Sequence, residues 1–157
     1  MGLEIERKFL VDPEKWNAFA KPEGTPYQQG YLVNEKGKTI RVRIAGSKAF
    51  ITIKGATTGF TRKEYEYEIP LQDGHELLES FALQGTVKTR YRIPVAGKVF
   101  EVDEFKGENE GLIVAEIELK SESDLFEKPD FLAEEVTHDP RYYNSNLATS
   151  PFSFWKK

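Results

Sequence analysis

The sequence predicts a mainly β (α+β) protein, an eight-stranded antiparallel closed barrel with a few flanking helices. Three observations lead to this fold class. Eight segments are rich in Ile, Val, Tyr, Phe and Thr, and most of them alternate apolar and polar residues with a period of two. The connections between them are short and carry turn residues, which is typical of antiparallel hairpins. Closing eight such strands into a barrel removes exposed sheet edges, whereas a β-sandwich is the alternative that the same pattern allows.

The eight strands are predicted from these runs and from the glycine-containing turns that separate them. They span residues 3–10, 27–33, 39–45, 49–54, 62–69, 87–94, 98–105 and 112–120. Turn signals such as Asn34-Glu35-Lys36-Gly37 and Ala96-Gly97 lie between consecutive runs, as expected for hairpins.

Helices are predicted between and after the strands. At Asp12-Pro13 a capping residue precedes a proline in the first helical position, a common way to begin a helix. Asp73-Gly74-His75-Glu76 is a variant of the capping box, and Gly85 is placed to end the helix that follows. A short helical turn is expected over 130–135. A last helix is expected from Asp139-Pro140 through Tyr142, Tyr143 and Leu147.

Composition narrows the class of protein. The 157 residues suit one domain, 1–157, and 39% are hydrophobic while 31% are charged, as in a globular protein. No apolar run is long enough for a transmembrane helix, and no secretory signal is visible. The absence of cysteine excludes disulfides and thiolate metal sites, and the net charge of −4 argues against general nucleic-acid binding. We therefore expect a cytoplasmic protein with no nucleic-acid or membrane partner.

Charged side chains share one face of nearly every predicted strand. In the first strand, Glu4, Glu6 and Lys8 lie on one face, and Arg7 is an exception on the opposite, apolar face. A solvated outer face would explain any single strand. The whole set favours a barrel whose charged faces point inward, because long ionic side chains dominate strand after strand. The charged set comprises Glu4, Glu6, Lys8, Arg41, Arg43, Lys54, Arg62, Glu64, Glu66, Glu68, Lys88, Arg90, Arg92, Glu101, Asp103, Glu116, Glu118 and Lys120.

Such a tunnel has the chemistry of a site for a metal and a phosphate chain. Hard cations such as Mg²⁺ and Mn²⁺ take carboxylate ligands, while arginine and lysine bind phosphate oxygens. A triphosphate carries roughly −4 to −5 near neutral pH, because its terminal phosphate titrates near 6. It is therefore a natural guest for a tunnel that holds divalent cations.

The motifs resemble those of the CYTH family, also called triphosphate tunnel metalloenzymes. The resemblance covers nearly the whole chain. It rests on motifs in a matching order, including Glu4-Ile5-Glu6-Arg7-Lys8, Arg41-Val42-Arg43, Ile53-Lys54-Gly55, Lys88-Thr89-Arg90-Tyr91, Glu101-Val102-Asp103 and Glu116-Ile117-Glu118. The resemblance implies an eight-stranded antiparallel tunnel that binds triphosphates with Mg²⁺ or Mn²⁺.

The resemblance also implies roles for individual residues. The phosphate ligands would be Lys8, Arg41, Arg43, Lys54 and Arg90, and the triphosphate-binding set is completed by Arg62, Lys88 and Arg92. The metal ligands would be Glu4, Glu6, Asp103, Glu116 and Glu118. The catalytic group would be Glu4, Glu6, Lys8 and Glu64, with the attacking water near one of these carboxylates.

The expected reaction is hydrolysis of inorganic tripolyphosphate to pyrophosphate and phosphate. The family is also described as including adenylate cyclases and thiamine and RNA triphosphatases, and all of these use the same tunnel. The alternatives are therefore a class IV-type adenylate cyclase, a nucleoside or thiamine triphosphatase, and a polyphosphate binder without turnover. A purely structural barrel is a further alternative. The aromatic residues Phe152, Phe154 and Trp155 are expected to fold back onto the barrel or to be buried in a homodimer contact.

Overall fold

The described part of the chain contains nine strands and three α-helices. The computed structural model describes residues 3–155. The strands are β1 (Leu3–Val11), β2 (Thr25–Glu35), β3 (Lys38–Ala45), β4 (Lys48–Thr58), β5 (Thr61–Ile69), β6 (Gly85–Val95), β7 (Lys98–Phe105), β8 (Ile113–Glu118) and β9 (Leu132–Glu135). The α-helices are α1 (Pro13–Ala18), α2 (Leu71–Phe81) and α3 (Asn144–Thr149), and 3-10 helices cover Gly107–Asn109, Pro140–Tyr142 and Phe152–Phe154.

The sheet closes on itself. Its strand order is β5-β4-β3-β2-β6-β7-β8-β1-β9, and β1 also pairs with β5, so that eight antiparallel strands form a barrel. The predicted eight-stranded antiparallel barrel is confirmed, and the sandwich is not what forms. The closing contact is short, because only Leu3, Glu4 and Ile5 of β1 face β5. Farther along β1, the ninth strand pairs with Phe9 and Val11 on its edge.

The helical turn predicted over 130–135 is wrong, because this segment contains β9. The end of β1 has β8 on one side, and β9 supplies backbone partners for the other side. Pairing with an otherwise open edge outweighs the weak local helix preference of the segment.

The ends of the second predicted helix also differ from the prediction. α2 begins at Leu71 after Pro70, so Asp73 lies in its first turn and does not cap it. Gly85 does not end this helix but begins β6. A Cβ atom at Gly85 would collide with the carbonyl of Gln29, so the glycine is required by close strand approach.

The last predicted helix is divided into two pieces. Pro140–Tyr142 is a 3-10 helix, and α3 follows it. Tyr143 between them has extended backbone angles of φ −69° and ψ 136°, which end one helix before the next begins. The predicted start of α1 is confirmed, because Asp12 accepts backbone hydrogen bonds from Glu14 and Lys15.

Two clusters of buried apolar side chains pack against the barrel. One cluster packs Trp16 of α1 and Phe131 against Phe9, Phe100 and Ile117 of the sheet. A second cluster packs the C-terminal segment onto the barrel; its buried members are Phe105, Leu112, Val114, Val136, Tyr142 and Leu147. Because the outward faces in the first cluster are apolar and covered, the charged faces of the same strands point into the barrel. Phe105 and Val114 of the second cluster share the inward face with Asp103 and Glu116, so the C-terminal segment packs against an inner, apolar part of the barrel wall.

The three C-terminal aromatic residues do not share one environment. Phe152 and Trp155 pack against the second cluster, whereas Phe154 is 71% exposed. The prediction that this segment folds back is therefore met by two of its three aromatic rings. No helix within residues 3–155 is long and apolar enough to cross a membrane.

Candidate active site

A polar cavity of about 220 Å³ lies inside the barrel. The strands bring twelve of the predicted site residues to its wall: Glu4, Glu6, Lys8, Arg41, Arg43, Lys54, Arg62, Glu64, Arg90, Arg92, Glu116 and Glu118. Their strands come from all parts of the chain, so the closed sheet is what gathers them. The cavity is thus built from the charged faces that the alternation predicted.

Glu6 of β1 and Glu118 of β8 bring two carboxylates to the same part of the cavity wall. The two residues are directly opposite in the strand register. Among the described residues, neither carboxylate makes a hydrogen bond or an ion pair, and directly opposed like charges destabilise a sheet. Burial, followed by the nearby Glu116, raises the pKa of Glu6 to about 8. Burial, followed by the charge of Glu4, also raises the pKa of Glu118.

A divalent cation fits this half of the cavity. It would neutralise the charges that raise these pKa values, and the carboxylate oxygens are its preferred ligands. In the described part of the chain, however, no three His, Asp or Glu side chains already stand in a metal-binding arrangement. The ligands would therefore have to adjust around the ion.

Lys54 lies at the edge of this carboxylate group. Its ammonium nitrogen is 3.1 Å from both carboxylate oxygens of Glu4 and 3.6 Å from Glu64. Burial raises the pKa of Glu64, while the charge of Lys54 opposes that rise. The ammonium of Lys54 thus lies between two carboxylates, at a position where a second metal cation would also be electrostatically favourable.

Lys8 and Glu116 form a buried ion pair deeper in the cavity. The Lys8 ammonium lies 3.2 Å from Glu116 and donates a 3.0 Å hydrogen bond to the carbonyl of Tyr142. Burial disfavours the charged form of both groups, but the attraction of nearby opposite charges is larger than this effect. The pKa of Lys8 is raised by Glu116 and Glu6, and that of Glu116 is lowered to about 2 by Lys8 and Arg90.

Three guanidinium groups converge in another part of the cavity, where Arg41 lies 3.7 Å from Glu66 and Arg90 lies 3.1 Å from Glu101. Burial, followed by the charges of Arg41 and Arg90, lowers the pKa of Arg43 to about 10. The Nε atom of Arg41 is buried without a hydrogen-bond partner, and a buried donor left unpaired is costly. Arg43 and Arg90 also lie 4.9 Å from the centre of the Tyr27 ring. This crowding of positive charge indicates an anion-binding site.

Two predicted site residues, Lys88 and Asp103, form a buried pair behind the cavity wall. Asp103 accepts hydrogen bonds from Lys88 at 2.7 Å and from Nε and Nη2 of Arg90 at 2.7 and 2.9 Å. These cations outweigh burial and hold the pKa of Asp103 well below its usual range. The metal role of Asp103 and the phosphate role of Lys88 stay predictions. In the structure, the two residues instead hold Arg90 in place.

Sequence reasoning missed part of the wall. Glu66 and Glu101 line the cavity and belong to the charged faces, yet they were not assigned roles. Thr39 and Thr52 also line it, and alternation with the neighbouring arginines could have identified them. The remaining members carry no charge and were not singled out by the pattern. Tyr31 lies in β2 and Thr57 near the end of β4, whereas the others lie in a turn or near the C-terminus: Phe60, Thr137, Tyr143, Asn144 and Ser145.

The C-terminal segment covers one side of the cavity. The side chain of Asn144 accepts hydrogen bonds from Gln29 at 3.3 Å and Lys88 at 3.1 Å. Asn34 donates a 3.0 Å hydrogen bond to the carbonyl of Ser145. The start of α3 is thereby fixed to β2 and β6.

Comparison with known proteins agrees with this architecture. The chain is 48% identical to the inorganic triphosphatase of Acetivibrio thermocellus, with the match covering 100% of both proteins. It is 36% identical to the inorganic triphosphatase of Nitrosomonas europaea, over 94% of this chain and 97% of that protein.

Solved structures show the same fold. The crystal structure of an inorganic triphosphatase is 35% identical and matches with a TM-score of 0.65, covering 94% of this chain and 95% of that one. A Hippeastrum protein, described as an adenylyl cyclase with a dominant triphosphatase activity, matches with a TM-score of 0.57 at 16% identity. This second likeness concerns the fold alone. The model of the CYTH domain matches residues 2–145, and the chain therefore belongs to the CYTH family.

Proposed function

We propose that this protein hydrolyses inorganic tripolyphosphate to pyrophosphate and phosphate with the help of Mg²⁺ or Mn²⁺. The observation that carries the proposal is a cavity with an acidic half and a basic half, joined by ion pairs such as Arg41–Glu66 and Arg90–Glu101. Within residues 3–155, the carboxylates of Glu6 and Glu118 in the acidic half and the Nε of Arg41 in the basic half have no hydrogen-bond partner. A divalent cation would neutralise the carboxylates, and a triphosphate would accept hydrogen bonds from the guanidinium groups. The relatives named inorganic triphosphatases support the same activity.

The metal would be held by the acidic half of the cavity. Glu6 and Glu118 have free carboxylates, Glu4 shares the charge of Lys54, and Glu116 lies next to both halves. When bound, the ion would neutralise phosphate charge and polarise the phosphorus centre. Phosphate release measured separately with each ion distinguishes Mg²⁺ from Mn²⁺.

The basic half would bind and orient the phosphate chain. Arg41, Arg43 and Arg90 offer planar donors that match phosphate oxygens, and Lys8 offers a point charge. Asp103 keeps Arg90 from moving, because it accepts two hydrogen bonds from that guanidinium. Phosphoryl transfer needs such positioning and charge neutralisation more than it needs covalent chemistry.

The remaining task is activation of water. We assign the proton acceptor to Glu64, whose pKa is raised by burial and whose carboxylate lies at the cavity wall beside Lys54. The water oxygen would form a bond to the terminal phosphorus while the bridging P–O bond breaks. Its proton would pass to Glu64, and pyrophosphate would leave with the bonding electrons.

Four further expectations are kept as proposals from composition and sequence. The chain would act as one domain over 1–157, in the cytoplasm, without nucleic-acid or membrane partners. A homodimer would use exposed apolar residues such as Phe154.

The direct test is phosphate release from tripolyphosphate, ATP and thiamine triphosphate with Mg²⁺, Mn²⁺ or chelator. Cyclic AMP is measured in the ATP samples. We expect metal-dependent turnover of tripolyphosphate well above that of ATP, lost in Glu118→Gln and kept in the control Glu134→Gln, which changes an exposed carboxylate of β9. Cyclic AMP formation would favour the cyclase, and metal-dependent binding without products would favour a polyphosphate binder. Either result would overturn the proposed reaction.

A further inference from the structure

Along one side of β1 there is a gap in strand pairing, called the seam here, and two residues of the cavity wall lie at this gap. On one side of β1, pairing with β5 ends at Ile5 and pairing with β9 begins at Phe9. Glu6, Arg7 and Lys8 therefore have no strand partner on this side, although Glu6 and Lys8 both line the cavity. The pairing of these residues with β8 holds the other side of the strand, so only the side toward β5 and β9 lacks strand pairing.

Two other segments bridge the seam. The amide of Glu6 donates a 3.3 Å hydrogen bond to the carbonyl of Phe60, in the turn between β4 and β5. The amide of Lys8 donates a 3.0 Å hydrogen bond to the hydroxyl of Thr137, and its carbonyl accepts one from Val136 at 2.8 Å. The position of these backbone atoms therefore depends on how the turn and the segment after β9 are held together.

Arg7 joins the two segments. Its guanidinium donates to both carboxylate oxygens of Glu135, at 2.8 and 2.6 Å, and lies 5.4 Å from the centre of the Phe60 ring. That ring in turn stacks on His138, with 4.9 Å between centres and 13° between planes. Glu135 also accepts a hydrogen bond from Thr137, so that one connected group crosses the seam. Arg7 is the exception on the apolar face of the first strand, and these contacts explain its position there.

The turn is held from a second direction as well. Thr61 donates a 2.9 Å hydrogen bond to the carboxylate of Glu122, which packs against Gly59. Gly59 has φ +64°, a left-handed conformation that favours glycine. The turn is therefore a defined structure that can hold Phe60 in one place.

We propose that Arg7 and Phe60 are positioning residues that clasp the seam and so fix Glu6 and Lys8 for metal and phosphate binding. This inference rests on the proposed function, in which Glu6 and Lys8 hold the ion and the phosphate chain. Arg7 acts from outside the cavity, whereas Phe60 also lies at its wall, so amide exchange at Glu6 and Lys8 is the readout that separates positioning from direct contact. A displacement of about 1 Å at a reacting centre can lower a rate by roughly a hundredfold, so a loose seam has a large effect.

The test uses conservative variants that keep charge or bulk. Arg7→Lys keeps the charge but loses the two-pronged hydrogen bond to Glu135, and Phe60→Leu keeps an apolar side chain but loses the stack. Arg141→Lys is the matched control, because Arg141 makes a similar exposed pair with Asp139 away from the seam.

Three readouts are measured on each full-length variant. They are amide hydrogen exchange at Glu6 and Lys8 without metal, Mn²⁺ affinity by titration, and kcat and KM for tripolyphosphate. In both clasp variants we expect exchange at these amides to rise about tenfold, Mn²⁺ binding to weaken several-fold and kcat to fall about tenfold or more. The control should match the wild type, and the double variant should be little worse than either single one, because the two residues act as one unit.

Two results would overturn the clasp. One is unchanged exchange at Glu6 and Lys8, and the other is faster exchange with unchanged Mn²⁺ affinity and kcat. A wild type that binds Mn²⁺ but releases no phosphate would refute the proposed function alone. The clasp would then still be judged by amide exchange and Mn²⁺ affinity.

Discussion

Replacing Asp103 by asparagine tests the buried charge network behind the cavity wall. The carboxylate is 3% exposed and is shared by Lys88, which is fully buried, and by Arg90. Asparagine keeps the size but removes the charge, which leaves the Lys88 ammonium buried without its counter-ion. Breaking a buried pair in this way costs about 3–5 kcal/mol. That is a large part of the roughly 5–15 kcal/mol that stabilises a typical domain.

The stability that the Asp103 carboxylate contributes to the fold depends on pH. The folded-state pKa of Asp103 is lowered, so its contribution is fully present above the unfolded pKa of about 4 and is lost as the pH falls through the folded value. The difference between wild type and Asp103→Asn in urea unfolding should be largest near pH 5. It should become smaller toward pH 8, because burial already lowers the pKa of Lys88 to about 7 and loss of its proton relieves the unpaired charge. The difference should shrink below about pH 4.

A second variant shows whether Lys88 is the source of the cost. In Lys88→Met/Asp103→Asn no buried ammonium is left unpaired, so the double variant should be more stable than Asp103→Asn alone. A cost below about 1 kcal/mol for the single variant, or a difference that does not change below pH 4, would refute this account of the network.

Other predictions concern the cavity and the core. In the metal-free protein the pKa of Glu6 is raised to about 8, so stability should fall from pH 5 to 8, and Glu6→Gln should remove much of this slope in urea unfolding with chelator. A flat profile for the wild type would contradict the crowding of carboxylates. Arg41→Lys should lower kcat/KM for tripolyphosphate about 10- to 100-fold, because a lysine cannot present two donors to one phosphate; unchanged kinetics would exclude Arg41 as a ligand. Trp16→Ala should cost about 3–5 kcal/mol in unfolding free energy with an unchanged KM, because Trp16 is fully buried outside the barrel. A raised KM would show that the outer core shapes the site.

The barrel and most of its charged wall could be predicted because alternation along a strand is a local property. Arg41 and Arg43 must share a face wherever β3 lies, and the apolar residues between them must face the other way. Short hairpins then favour antiparallel neighbours, and closure removes open edges, although the pairings of β2 with β6 and of β1 with β8 join segments far apart in the chain. The twelve predicted residues at the cavity wall all come from this kind of reasoning.

What could not be predicted depends on contacts between distant segments. The pairing of β9 with β1 joins residues more than a hundred positions apart, and nothing in the sequence of 130–135 specifies it. Lys88 and Arg90 share a strand face, yet Lys88 is turned into a buried pair with Asp103 while Arg90 also reaches the cavity. Alternation assigns a face of the sheet, but it does not decide which charges pair with each other.

The same limit explains Arg7. Its place on the apolar face was visible in the sequence, but its partners Glu135 and Phe60 lie in segments that meet only in the folded barrel. An ion on an apolar face is a signal that a distant partner exists, because burying an unpaired charge is costly. The identity of the partner needs the structure.

The central claim is that one cavity inside the barrel binds a divalent cation and a triphosphate together. It is tested most directly by a crystal structure with Mn²⁺ and a non-hydrolysable triphosphate analogue, with the ion located by anomalous scattering. The account predicts manganese bound to the carboxylates of Glu6 and Glu118, and phosphate oxygens on Arg41, Arg43 and Arg90. An ion or a triphosphate analogue bound only on the outer surface of the barrel would contradict it.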